Sequence, residues 1–137
     1  MNTTIDLNTV PPHNDKVVTA LAGSWLGRLQ DAQGAAESFN LEQESLERVP
    51  GQVFLYTTPT GVAAGMRLLE ASDRSFVALI GPYFDPAEGA MVVTVLEGGC
   101  EPGRLEGTFH TRRYNWRDTI RSGRFSATRV EKVSRAA

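Results

Sequence analysis

The chain has 137 residues, is 41% hydrophobic and 22% charged, and carries 16 acids against 14 bases for a formal charge of −2. That length suits one domain whose core needs neither disulfide nor metal. The charge excludes a strongly basic nucleic-acid binder, and the single Cys100 excludes an internal disulfide or a Cys-rich zinc site. No run reaches the roughly 18 apolar residues of a membrane-spanning helix, so no membrane partner is expected.

Residues 1–15 are polar and contain Pro11-Pro12, which stops regular structure, so they read as a flexible arm. They hold no basic segment followed by an apolar stretch, which predicts a cytoplasmic protein without an export signal. Asp15 can cap a short helical turn from Lys16 to Leu21. The period then changes to two. Trp25, Gly27 and Leu29 alternate with Ser24, Leu26 and Arg28, and Phe39 and Leu41 alternate with Asn40 and Glu42. Further segments rich in β-branched and aromatic residues follow, punctuated by turn residues such as Asp31–Gly34, Pro59-Thr60-Gly61, Asp85–Gly89 and Gly98–Gly103. The pattern predicts eight strands, at about 23–31, 35–47, 53–58, 61–70, 75–83, 90–97, 104–113 and 119–130.

Eight short strands with tight connections predict an all-β fold, an antiparallel up-and-down meander closed into a barrel over 16–133, with a disordered tail at 134–137. A β-sandwich is the alternative, but it needs longer crossovers. Glycines inside strands (Gly27, Gly65, Gly107 and Gly123) fit the sharp bending of a small barrel. In the strand at 90–97 both faces are apolar, Met91, Val93 and Val95 on one and Val92, Thr94 and Leu96 on the other. Its outer face therefore needs a cover, and a second copy of the chain is the simplest one, giving a homodimer or homotetramer.

Leu21-Ala22-Gly23-Ser24-Trp25 resembles the Leu-x-Gly-x-Trp opening of lipocalins and avidins, members of the calycin superfamily. Gly123-Arg124-Phe125-Ser126-Ala127-Thr128-Arg129-Val130 looks like their last strand. The resemblance implies that Trp25 closes one end of a barrel with Arg129 packed over its ring. Trp116-Arg117-Asp118-Thr119 ahead of Gly123 is closer to the avidin/streptavidin pattern. There the matching Trp is donated to a neighbouring subunit; here Trp116 either does so or anchors its own loop. The specific motifs cover about 20 residues. Gly27 stands where avidins carry an Asn that binds the ureido oxygen of biotin, Asp31 where they carry a Ser, and Phe109 where they carry a Trp. With those groups gone, tight biotin binding is not expected.

The chemistry-bearing residues are few. Residues 1–103 hold 13 acids and 5 bases, whereas 104–137 hold 3 acids and 9 bases, with Arg112-Arg113-Tyr114-Asn115-Trp116-Arg117 the densest stretch. Guanidinium groups beside aromatic rings suit an anionic or planar ligand, a subunit interface, or a solvated loop. No Ser/His/Asp spacing or phosphate loop is present, and His110 alternates outward if Phe109 points in. Cys100 is expected exposed in a turn. Tyr56, Tyr83, Glu37, Gln43 and Arg67 can line an interior. The ligand-binding candidates are Phe39, Tyr56, Arg67, Tyr83, Phe109, Arg112 and Trp116, with Trp25 and Arg129 structural and no cofactor, metal or nucleic acid expected. The leading reading is a barrel that binds a small organic molecule or a short peptide. The rivals are a cyclase or isomerase acting on an apolar substrate, and a module whose interior is filled solid.

Overall fold

Period-two alternation of apolar and polar residues stabilises each segment as a strand with one face withdrawn from water. The structure, a computed structural model, describes residues 21–43, 52–72 and 74–130. Its strands are β1 (Ser24–Asp31), β2 (Ala36–Gln43), β3 (Gln52–Thr57), β4 (Ala63–Ala71), β5 (Ser75–Asp85), β6 (Ala90–Glu101), β7 (Arg104–Arg113) and β8 (Thr119–Val130). Each pairs antiparallel with the next, and β1 pairs with β8, so the sheet closes into a barrel. Closure satisfies every strand edge, which an open sheet of this length could not do. No helix occurs among the described residues. The arm at 1–15, the helical turn from Lys16, the residues just after β2 and the tail at 134–137 lie outside them.

The loops after β1, β3, β5 and β7 gather at one end of the barrel, as antiparallel order requires. The opposite end is closed by Trp25. Its side chain is 1% exposed, and its indole N–H donates to the Leu21 carbonyl at 2.8 Å. Arg129 lies opposite Trp25 in the β1–β8 register, and its guanidinium carbon sits 4.9 Å from the indole centroid. The cation faces the electron-rich ring, as in other cation–π pairs. Between the ends the interior is apolar and filled: Phe39, Leu41, Phe54, Met66, Phe76, Ile80, Leu96 and Phe125 are all buried.

Two glycine positions explain how the sheet bends. Gly27 faces Phe39 across β1–β2, and a Cβ there would lie 2.3 Å from the phenyl Cζ. At Gly107, opposite Gly98, a Cβ would lie 2.1 Å from the Glu97 carbonyl oxygen. Only glycine permits these approaches. This β6–β7 contact also corrects the sequence reading. Gly98–Glu101 is not a turn but the end of β6, because Pro102-Gly103, with Gly103 at φ +74°, reverses the chain on its own. Cys100 is consequently paired opposite Leu105 and buried rather than exposed. Burial pushes its thiol pKa up, which disfavours the nucleophilic thiolate.

The valines of β6 bring a second correction. Val93 and Val95 are only 4% and 8% exposed within a single chain. The two valines of this outer face therefore need no second copy to cover them, and only Met91 of that row stays exposed. Gly107→Ala is expected to destabilise the barrel by about 1–3 kcal/mol through overpacking against backbone. Gly99→Ala, whose Cβ would meet nothing closer than 3.5 Å, should stay within about 0.5 kcal/mol. Urea unfolding of the two variants compares them directly.

Candidate functional site at the open end of the barrel

At the end opposite Trp25 the inward side chains change from apolar to polar. Tyr56 on β3 stacks on Phe39 with centroids 5.4 Å apart and tilts against Tyr83 on β5 at 6.1 Å. The Tyr83 hydroxyl bonds the Thr94 hydroxyl at 3.0 Å, which bonds the Thr111 hydroxyl at 2.7 Å. Both threonines are fully buried, so this chain fixes Tyr83 in the interior. Nearer the mouth stand Glu37 on β2, Asp85 at the end of β5, Arg113 at the end of β7 and Arg121 on β8.

A β-bulge and the β7–β8 register set this arrangement. The β5–β6 register shifts between Ile80 and Tyr83, so Tyr83 and Asp85 continue the inward row that Ile80 begins. On the β7–β8 seam the regular register sets Arg121 opposite the inward Thr111, and a second shift follows between Thr111 and Arg112. Arg121 then reaches the Asp85 carboxylate at 3.6 Å. Arg113 lies 3.6 Å from Glu88 and 5.6 Å from the Trp116 ring.

Among the described residues three buried polar atoms here have no hydrogen-bond partner: the Tyr56 hydroxyl, Asp85 Oδ2 and Arg113 Nε. Each such group costs about 1–3 kcal/mol unless something satisfies it. The other Asp85 oxygen accepts from the Ala87 N–H at 2.9 Å and holds the β5–β6 turn. Burial raises the pKa of Tyr56, with Tyr83 and Glu37 adding to the effect. Tyr83 is raised by the same desolvation, opposed by its bond to Thr94. Glu37 is raised chiefly by burial, against the attraction of Arg121 and with the repulsion of Asp85. Burial thus favours the neutral form of both tyrosine hydroxyls and raises the Glu37 carboxyl in the same direction. A cleft of about 150 Å³ opens at this mouth, lined by Leu29, Asp31, Ala35, Ala36, Glu37, Phe109 and Arg121.

Of the sequence candidates, Phe39, Tyr56, Tyr83 and Phe109 are brought into this interior. Arg67 is not: it sits between the inward Met66 and Leu68 and projects from the outer face. Gln43 is also exposed, and its carbonyl accepts from the Gly23 N–H. Arg112 faces outward beside Val93 and donates to the Trp116 carbonyl at 3.0 Å. Trp116 is 55% exposed in the loop after β7, where its N–H bonds the Arg113 carbonyl. Arg113 was noted in sequence only as part of the basic stretch 112–117, and Asp85, Arg121, Thr94 and Thr111 were not singled out as site residues. Alternation with Gly123, Phe125 and Ala127 was the available signal for Arg121.

No protein-family model matches the chain, and no curated protein matches it in sequence. Among solved structures it is similar to EF1p2_mFAP2b bound to DFHBI, with a TM-score of 0.59, 12% identity, and coverage of 84% of this chain and 98% of that one. At that identity the likeness shows a shared barrel fold.

The raised Glu37 pKa carries a stability consequence. The folded state holds this proton more tightly than the unfolded chain, so Glu37 contributes stability below the ordinary glutamate pKa that is lost as pH rises through the raised folded value. Glu37→Gln should flatten that decline and raise stability at neutral pH, as unfolding measured from pH 4 to pH 8 would show. An unchanged pH profile would mean that Glu37 is not desolvated.

Proposed function

We propose that the open end binds a small polar organic molecule, and that the chain is a calycin-like ligand-binding barrel rather than a biotin binder. The observation that carries this reading is a set of three buried polar atoms toward one mouth that lack a hydrogen-bond partner among the described residues, Asp85 Oδ2 being met only by its 3.6 Å ion pair with Arg121. Arg121 joins these groups to the cleft, since it both lines the cleft and pairs with Asp85. Size narrows the class. A dry cavity of about 150 Å³ holds a benzene-sized molecule, whereas drug-sized ligands take roughly 300 Å³ or more. The cleft of about 150 Å³ therefore fits a ligand of benzene scale. Leu29 and Phe109 supply an apolar wall and Glu37 and Arg121 a polar rim. The DFHBI-bound neighbour supports the use of such a barrel for a small molecule.

The avidin resemblance enters with one change. Where the family places its biotin-binding Asn, Gly27 makes room for the Phe39 ring. Calorimetry with biotin should accordingly give no nanomolar constant. Oligomer formation is retained on a different ground, since Phe84, Met91, Tyr114 and Trp116 all stand exposed at this end. Such aromatic and Met side chains are enriched at protein interfaces.

A second reading, proton-transfer catalysis on the bound molecule, is favoured by one feature: Glu37, whose carboxyl pKa burial raises, lines the cleft. Native mass spectrometry of protein purified from its source should show a small retained mass in the wild type and its loss in Arg121→Gln, which strips the cleft of its cation. Incorporation of solvent deuterium into that molecule would select the catalytic reading. Bare chain alone, with no small polar compound perturbing Tyr56 or Tyr83 by NMR, would contradict both.

A further inference from the structure

The outer face of the β7–β8–β1 seam carries a second concavity, of about 580 Å³, walled by Arg28, Gln30, Arg104, Glu106, Arg124 and Ser126. The register lays these outward side chains in rows. Arg28, Ser126 and Glu106 form one row, and Gln30, Arg124 and Thr108 form the next. Ser126 is thus central, with Arg28 beside it and Arg124 two residues back along its own strand. Diagonal positions of this kind lie about 7–8 Å apart. Glu106, the acid in the trough wall, is held by Arg104 at 2.6 Å. Arg28 and Arg124 have no ion-pair partner among the described residues. Two like charges side by side on one sheet face repel, and a bound anion relieves that repulsion.

We propose that this trough binds the phosphomonoester group of a small solute, seated over Ser126 between Arg28 and Arg124. The dianion's three free oxygens match the donors on offer. Two accept from the separate guanidiniums, and the third accepts from the Ser126 hydroxyl or the Gln30 amide. A carboxylate brings a single negative charge to two guanidiniums and leaves one of them uncompensated, whereas a phosphomonoester dianion offsets both. The site is independent of the barrel mouth: its residues face outward, and it stands whether or not the cleft at Glu37 binds anything.

Amide chemical-shift titration of the whole protein tests the site, using inorganic phosphate, glycerol 3-phosphate and acetate at matched ionic strength. Both phosphates should shift Arg28, Ser126 and Arg124 in a saturable way, and acetate should not. Arg28→Gln and Arg124→Gln should each weaken phosphate about tenfold, the loss of one charge-assisted contact at an exposed position. Glu106→Gln should tighten it. Arg67→Gln, on the outer face of β4, should leave it unchanged. Binding of neither phosphate, equal shifts with acetate, or an equal loss in Arg67→Gln would overturn the proposal in favour of diffuse electrostatics. These side chains are on the surface, so each variant is expected to fold.

Discussion

An eight-stranded barrel encloses little more space than its own side chains occupy. What fills each end therefore decides what the protein can do. Here Trp25 takes the space at one end, tied to Leu21 by its indole N–H and faced by Arg129. Phe39, lying against Gly27, takes the middle. Once those two rings are in place the lower barrel is dry and complete. Room for a ligand inside the barrel is therefore confined to the end where the loops after β1, β3, β5 and β7 meet.

That end is built by a different logic. Dry aromatic packing continues from Phe39 through Tyr56 to Tyr83, but both tyrosines carry hydroxyls into the interior. One is satisfied by Thr94 and Thr111, while the other has no hydrogen-bond partner among the described residues, and neither have Asp85 Oδ2 and Arg113 Nε. A barrel evolving for stability alone would replace such groups by apolar ones of similar shape, often at no loss. Keeping them costs stability, and a ligand that answers them returns it by mass action. The glycine-permitted close contacts and the packed Trp25 end supply the stability that this mouth gives up.

The barrel was legible in sequence because alternation is a local signal and closure follows from eight such segments. β7 and β8 fall where the pattern put them, from Arg104 to Arg113 and from Thr119 to Val130. The error at Gly98–Glu101 arose because a glycine pair in a bent strand looks like a turn. The polar mouth was only partly legible. Tyr56, Tyr83 and Glu37 were recognised as inward residues, but Asp85 was read as turn punctuation. Strict alternation from Ile80 would send Asp85 outward, and the bulge before Tyr83 reverses that phase. Arg121 and Asp85 are 36 residues apart in the chain and meet only because the sheet closes. Arg67 fails for the opposite reason: no bulge interrupts Ala64, Met66 and Leu68, so simple alternation already placed it outside.

The account rests on Trp25 as the packed end that supports an unsatisfied mouth. Equilibrium urea unfolding of Trp25→Ala tests it most directly. Truncating a fully buried Trp should cost about 3–5 kcal/mol with an unchanged denaturant slope. A loss within about 0.5 kcal/mol would contradict the account, because Trp25 would then not be holding the barrel shut.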